Sequence, residues 1–492
     1  MQTHQVKPCV EFLSQSIRDN KQIQGIKLDT SYVKICQYAD DATVFLKNEH
    51  ELFSCIDAIN KFGHASGMKL NKSKCEGLWL GDYEWRQQNC KLAEIKWPIK
   101  PIKCLGIYIG KDERQCIKLN WQDKIEKIET MLERWKRREL TLYGKVQVIK
   151  SLALASIIYT ASCCVVPNGM VDKINKILFS FIWGKVERVK RNTQICKKDE
   201  GGLGMIDIQS QFEALKAAWV PRIIKGETSQ HWKELASKYV NRLGDNYYIL
   251  RTSIDELKKC QVLNILPKIY QEIVVAFTKS KVVTVENIYN QTLFANRLLT
   301  CKTLDKTTSP YFINWIKSGI SSVKDLHLVN GVINENYIYE KLDRKVNIYV
   351  EISQIQKCLN PYKEMLGSIE PEENRNDVFL YETDGMNVDD IADKKSKYFY
   401  QNLVKQKCER TYMEVNWMIK FGGNDIDYKL VYFNKIVGIN DIKLAETNLK
   451  ILHNILPCGE NLVKWKKKES AQCSICNNVE GITCLLYTSD AA

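Results

Sequence analysis

Tyr32-Val33-Lys34-Ile35-Cys36-Gln37-Tyr38-Ala39-Asp40-Asp41-Ala42-Thr43-Val44-Phe45-Leu46 is the stretch on which the fold turns. Val33 and Ile35 on one side, and Val44 and Leu46 on the other, stand at the period-two spacing of strands that bury one face. Ala39-Asp40-Asp41 separates them, so the two runs are predicted to fold back as a β-hairpin. Adjacent acids at such a tip are costly, because two like charges share a turn where neither is neutralised. A divalent cation removes that cost. Nucleotidyl transfer uses such cations: one activates an attacking 3′ hydroxyl, the other stabilises the leaving pyrophosphate, and rigid carboxylates hold them about 3.5–4 Å apart. A solvated Asp-Asp turn offers the same residues, and a Tyr-x-Asp-Asp string arises by chance in roughly one chain of this length in fifteen. The surroundings have to decide.

Downstream, Asn48 heads a helix in which Leu52, Ile56, Ile59 and Phe62 recur at helical spacing and form the inward face, ending between Gly63 and Gly67. Apolar runs at 77–80 and 104–109, bounded by glycines and by Pro98 and Pro101, are short enough for strands. Residues 1–112 therefore read as α+β. Beyond Asp112 the period changes: Ile125, Ile128, Leu132 and Trp135 form one helical stripe, and Val171, Ile174, Leu178, Phe181 and Ile182 another. This defines a helical domain at 113–225. A mostly helical connector follows at 226–447, with polar breaks at 370–377 and 389–397, and a terminal region at 448–492 carries a helix, a basic run at 464–468 and Cys473-Ser474-Ile475-Cys476.

The chain has 492 residues, 45% hydrophobic and 26% charged, which suits about three globular domains. Its net charge of +14 is spread along the length and favours a polyanionic partner. The first dozen residues hold no apolar run of signal-peptide length, and the 18 cysteines stand singly or in apolar settings such as Cys36, Cys55 and Cys163. Reduced thiols inside the cell, in nucleus or cytoplasm, are expected. The most apolar stretch, 152–166, is interrupted by Ser156, Thr160 and Ser162, so a buried helix is expected rather than a membrane span. Oligomeric state leaves no mark on the sequence.

The Tyr38-Ala39-Asp40-Asp41 hairpin, an amphipathic helix, and then Gly67-Met68-Lys69-Leu70-Asn71-Lys72-Ser73-Lys74 together resemble the palm of reverse transcriptases. Ile102-Lys103-Cys104-Leu105-Gly106-Ile107-Tyr108-Ile109-Gly110 looks like the next hairpin of that family, the one that grips the primer end. Trp135-Lys136-Arg137-Arg138-Glu139-Leu140-Thr141-Leu142-Tyr143-Gly144-Lys145, Phe181-Ile182-Trp183 and Gly201-Gly202-Leu203 then follow in the order of the LINE-type, non-LTR retrotransposon enzymes. A weaker likeness lies between 285 and 332, through Phe312, Trp315, Gly319, Asp325 and Leu326. The end, with Ile451-Leu452-His453-Asn454-Ile455-Leu456-Pro457, Glu469-Ser470, Cys473 and Cys476, resembles the family's zinc-binding region.

The resemblance implies an RNA-directed DNA polymerase working on an RNA template, a DNA primer and deoxynucleoside triphosphates. Asp40 and Asp41 would be magnesium ligands beside Tyr38, and Lys74, with Lys72 as the alternative, would stand near the nucleotide phosphates. Gly106 and Gly110 would permit close backbone approach to the primer. Taken as residues alone, Arg134, Arg137, Arg138, Lys145 and Lys150 beside Trp135 and Tyr143 are suited to phosphates and sugars along a duplex. A solvated helix face is the plain alternative; Trp135 is assigned to the core and the arginines to the duplex.

The chain also departs from the family. Cys484-Leu485-Leu486 stands where a histidine is usual, and residues 484–492 read as a translated sequencing adapter, leaving Cys473 and Cys476 as half of a zinc site. Family members carry a third metal-binding aspartate, fingers and an endonuclease domain upstream of the hairpin; Glu11, Asp19 and Asp29 are too near it to be that aspartate. The expectation is a fragment truncated at both ends and inactive alone, with an exposed sheet edge and poor solubility. The alternative is a non-catalytic RNA- or DNA-binding protein derived from a retroelement.

Overall fold

The computed structural model describes residues 3–28, 31–39, 41–81, 92–184, 186–225, 230–240, 262–280, 293, 314–315, 317–342, 348–360, 363, 391–408, 412–421 and 426–489. The chain divides into two units. One comprises Met1–Asn120 and Lys216–Lys395, the other Trp121–Leu215 and Ser396–Ala492.

The first unit opens with helix α1 (Thr3–Asp19) and a short antiparallel pair, β1 (Ile26–Lys27) and β2 (Tyr32–Val33). Next comes the hairpin of β3 (Ile35–Tyr38) and β4 (Asp41–Val44), in the register Ile35 to Val44 and Tyr38 to Asp41. The period-two reading thus yields strands, with Asp41 inside β4 rather than in the turn. Helix α2 (Glu49–Ser66) is capped by Asn48, whose side chain accepts the Glu51 N–H at 3.0 Å, and it ends at Gly67. Ile17, Ile23, Ile35, Cys55 and Ala58, with Leu13, Val44, Leu46 and Ile59 around them, form the shared core of α1, hairpin and α2. Ile56 and Phe62, expected to face inward, are only half-buried. Small Cys55 and Ala58 take the central places because they let α1 pack closely against α2.

The predicted strand at 77–80 is not a ladder strand. Its neighbour Glu76 makes one isolated bridge to Lys96, and beyond it Trp79 stacks on Trp97 with ring centroids 4.6 Å apart. Gly77 N donates to Lys96 O at 2.8 Å and Lys96 N to Cys75 O at 3.3 Å, and the ring pair extends this short backbone joint. The hairpin of β5 (Ile102–Cys104) and β6 (Ile107–Ile109) is present, and the buried amide of Asn120 closes its edge, accepting from Tyr108 N at 2.7 Å and donating to Tyr108 O at 2.9 Å. From the later stretch of this unit, the helix His231–Val240 reaches the loop before β2, where Ser31 N donates to Glu234 at 3.3 Å. Further along, Asp325 accepts the backbone N–H groups of Ser321 and Ser322 at 3.0 and 2.8 Å, above fully buried Leu326. Trp315, Ile320 and Val323 in the same stretch are buried as well, and Phe312 lies outside the described residues.

The second unit is helical. Helix α3 (Glu113–Lys136) enters it at Trp121, which is fully buried and donates its indole N–H to Val165 O at 2.9 Å. Helix α4 (Leu142–Val148), a π-helical turn (Ile149–Leu154) and α5 (Ala155–Cys163) run on continuously, followed by α6 (Met170–Trp183) and α7 (Arg191–Ile195). Ile125, Ile128 and Leu132 of α3 and Ile174, Leu178, Phe181 and Ile182 of α6 are buried as their spacing predicts. Trp135 is not: it is half-buried in the last turn of α3, with the Arg138 guanidinium 4.4 Å from its ring centroid. The run Leu142–Cys163 is long and apolar enough to cross a membrane by length and composition alone. Ile149, Ala153, Ile157 and Ala161 are nevertheless fully buried within the unit, the pattern of a core helix.

Candidate functional site

The hairpin tip is built by backbone geometry. With Tyr38 opposite Asp41, only Ala39 and Asp40 connect the strands, and Ala39 takes φ 53°, the left-handed region that two-residue hairpin loops demand. Asp40 itself lies outside the described residues. Asp41 is exposed, and Tyr38 next to the loop is 71% exposed. Two residues along β4, the Thr43 hydroxyl lies 3.3 Å from the Cys104 thiol, which sets the second hairpin beside the first. That hairpin turns through Leu105 at φ 47° and Gly106 at φ 83°, a pair of left-handed residues in which glycine supplies the freedom and leaves a bare turn.

Lys74 ends a 3₁₀ turn (Lys72–Lys74) and is exposed; Lys72 instead pairs with Glu94 at 2.7 Å. The upstream acids are engaged locally, Glu11 with Arg18 at 2.6 Å and Asp19 with Gln15 at 2.9 Å, while Asp29 is outside the described residues. By donor chemistry, carboxylates at this tip fit a hard cation such as magnesium. Among the described residues, Asp41 belongs to no group of three or more metal-capable side chains.

The basic residues separate into two kinds. Arg134, Arg137 and Arg138 are exposed on and just past the last turn of α3. Lys145 and Lys150 are half-buried. Lys145 donates to Ile182 O at 2.9 Å, tying α4 to the end of α6, and burial lowers its pKa although nearby Glu446 opposes the shift. Burial, reinforced by the Lys198 ammonium, lowers that of Lys150 as well. Glu446 accepts the first helical N–H of α4, Leu142 N, at 2.7 Å and pairs with Lys450 at 2.6 Å. Beside it the Tyr143 hydroxyl is buried with no hydrogen-bond partner among the described residues, and burial pushes its pKa up.

At the end of the chain the sulfurs of Cys473, Cys476 and Cys484 all lie within 4.8 Å of one another, with Cys476 and Cys484 at 3.5 Å. Cys473 N donates to Asn478 O at 2.8 Å and Asn477 N to Cys473 O at 3.0 Å, so the segment curls into a knuckle. The N–H groups of Cys476 and Ile475 point at the Cys473 sulfur and bring its pKa down to about 7, whereas hydrogen bonds with the other two thiols push Cys484 up to about 12. Three thiols so arranged are a donor set for zinc. Sequence reasoning discounted Cys484, and no spacing rule would have restored it. His453, close by in sequence, is not in this group: it is buried and hydrogen-bonds Gly201 O at 2.7 Å.

Residues 8–109, which contain both hairpins, match the family described as reverse transcriptase (RNA-dependent DNA polymerase). A stretch of 257 residues is 26% identical to the transposon TX1 uncharacterized 149 kDa protein of Xenopus laevis, covering 51% of this chain and 20% of that protein. The chain thus matches about a fifth of that relative's length. Together the two similarities support a reverse transcriptase of retroelement origin.

Proposed function

We propose that this chain is part of the reverse transcriptase of a non-LTR, LINE-type retroelement, an RNA-directed DNA polymerase using an RNA template, a DNA primer and deoxynucleoside triphosphates. The observation that best supports this is the contact of Thr43 with Cys104, which joins the Asp41 hairpin to the Gly106 hairpin inside the stretch that matches the reverse transcriptase family. In this reading residues 1–112 are the later part of the palm, 113–225 the thumb, 226–447 a connector and 448–492 a zinc-binding region. Asp40 and Asp41 would hold magnesium, which supplies charge neutralisation for the attacking hydroxyl and the departing pyrophosphate. Tyr38 and Lys74 would line the nucleotide, Gly106 would approach the primer, and Arg134, Arg137 and Arg138 would grip the duplex. Lys145 and Lys150, half-buried, would add to the duplex-binding surface. Cys473, Cys476 and Cys484 would hold zinc. Copying at a chromosomal target would require the nucleus.

Two neighbouring carboxylates at one hairpin end hold two metal ions poorly, and Glu11 and Asp19 are tied up within α1. The chain on its own is therefore expected to bind nucleic acid without extending a primer, which is also what a non-catalytic descendant would do. Primer extension and hybrid binding in magnesium test the proposal together. The expected result is salt-sensitive binding of an RNA–DNA hybrid and no incorporation. Incorporation lost on Asp41→Ala would give the chain its own catalysis; incorporation indifferent to Asp40→Ala and Asp41→Ala would refute the magnesium assignment. Failure to bind any hybrid would sink the polymerase reading.

A further inference from the structure

The loop after α7 closes on itself with unusual tightness. Cys196 O accepts Gly204 N at 2.8 Å, Lys197 O accepts Gly202 N at 2.8 Å, and Gln194 O accepts Met205 N at 2.9 Å. A Cβ on Gly202 would come within 2.0 Å of Cys196 O, so only glycine allows this closure. The 3₁₀ turn inside the loop (Lys198–Glu200) carries Glu200 back toward Cys196. From the other end of the unit, Cys408 arrives just past the helix Ser396–Lys405. One donor atom each from Cys196, Glu200 and Cys408 then lie within 4.8 Å of one another.

We propose that Cys196, Glu200 and Cys408 form a second metal site, taking one zinc-like divalent cation that fastens the glycine loop to the end of the helix Ser396–Lys405. In a tetrahedral zinc site, bonds of about 2.3 Å to sulfur and about 2.0–2.2 Å to oxygen set donors about 3.5–3.8 Å apart. The three atoms need contract by only about 1 Å. Thiolate donors select zinc, cobalt or cadmium over magnesium and calcium. The carboxylate is already oriented, because Lys197 N donates to Glu200 at 3.1 Å, the kind of outer hydrogen bond that ligating carboxylates carry. Cys196 is buried and its thiol hydrogen-bonds Asn192 O at 3.1 Å, while Glu200 and Cys408 are half-buried, so an ion enters from their side and keeps water as its fourth ligand. Without an ion, burial first, then the hydrogen bond with Cys408, pushes the Cys196 thiol up to about 12. Binding releases two protons and leaves two thiolates and one carboxylate on the cation.

The test uses the full chain carrying Cys473→Ser, Cys476→Ser and Cys484→Ser, kept reduced, stripped of metal and titrated with cobalt(II). One cobalt per chain and a thiolate-to-cobalt charge-transfer band are expected. Cys408→Ser should remove the band with circular dichroism unchanged, and Glu200→Gln should weaken affinity about tenfold or more. Zinc should raise the melting temperature of the triple-serine parent and not of its Cys408→Ser derivative. Should the triple-serine chain fail to fold, the otherwise unaltered chain is loaded instead, and Cys408→Ser should lower its stoichiometry by one cobalt. No band in a folded parent, a band or stoichiometry untouched by Cys408→Ser, or an intact mass short of two hydrogens from a Cys196–Cys408 disulfide would each overturn the proposal.

Discussion

Glu51 is a carboxylate at 3% exposure, and such a group persists only where hydrogen bonds satisfy it. It accepts Lys47 N at 2.9 Å and Gly25 N at 3.3 Å, binding the strand-to-helix connection to the turn before β1. Glu51→Ala should strand both donors and cost about 1–3 kcal/mol, read as a lower urea midpoint. His453 is the complementary case. Burial holds its imidazole pKa below the ordinary 6.5, so the folded chain resists protonation that the unfolded chain accepts. The stability it lends is whole above that ordinary value and is lost as pH falls toward the depressed one. Melting temperature should therefore drop as pH falls below the ordinary 6.5, and His453→Gln should flatten that drop; equal slopes would show that another group governs it. At this scale the sequence told which residues are charged but not which charges are taken. Arg137 and Lys145 read alike on paper; only the Ile182 carbonyl, 37 residues from Lys145, distinguishes them.

Local elements were the most legible, because strand and helix periods are written in neighbouring residues. Asn48 as cap, the hairpin around Ala39 and the buried stripe of α6 all follow from spacing. Asn48→Ala should cost about 1 kcal/mol, measurable as a shift in the same urea midpoint. What spacing missed is set by partners far along the chain: the predicted strand at 77–80 shrinks to one bridge at Glu76 beside the stack of Trp79 on Trp97, and the contact with α1 turns α2 so that Cys55 and Ala58, rather than Ile56 and Phe62, face inward. The Gly201-Gly202-Leu203 signature was recognisable as a string, yet its physical reason appears only in three dimensions. Gly202→Ala should force Cys196 O away and destabilise the second unit by roughly 1–3 kcal/mol, seen as a lower melting temperature. A neutral result would mean that the loop can open at no cost.

Over the whole molecule, the net charge of +14 bears on association rather than on the fold. Affinity for an RNA–DNA hybrid should fall linearly with salt on logarithmic axes, and Arg137→Ala with Arg138→Ala should reduce that slope by roughly 1–2, by fluorescence anisotropy. Unchanged slopes would remove these arginines from the contact surface. Each unit is made of two stretches far apart in the chain, and nothing in composition or linker character announces that interleaving. It has a consequence for synthesis. The N-terminus of α4 emerges from the ribosome long before its capping carboxylate, since Leu142 waits for Glu446, 304 residues later. The core of α1, the first hairpin and α2 can close early, whereas the second unit waits for its distant stretch, so a nascent chain carries a half-finished helical surface through most of its elongation.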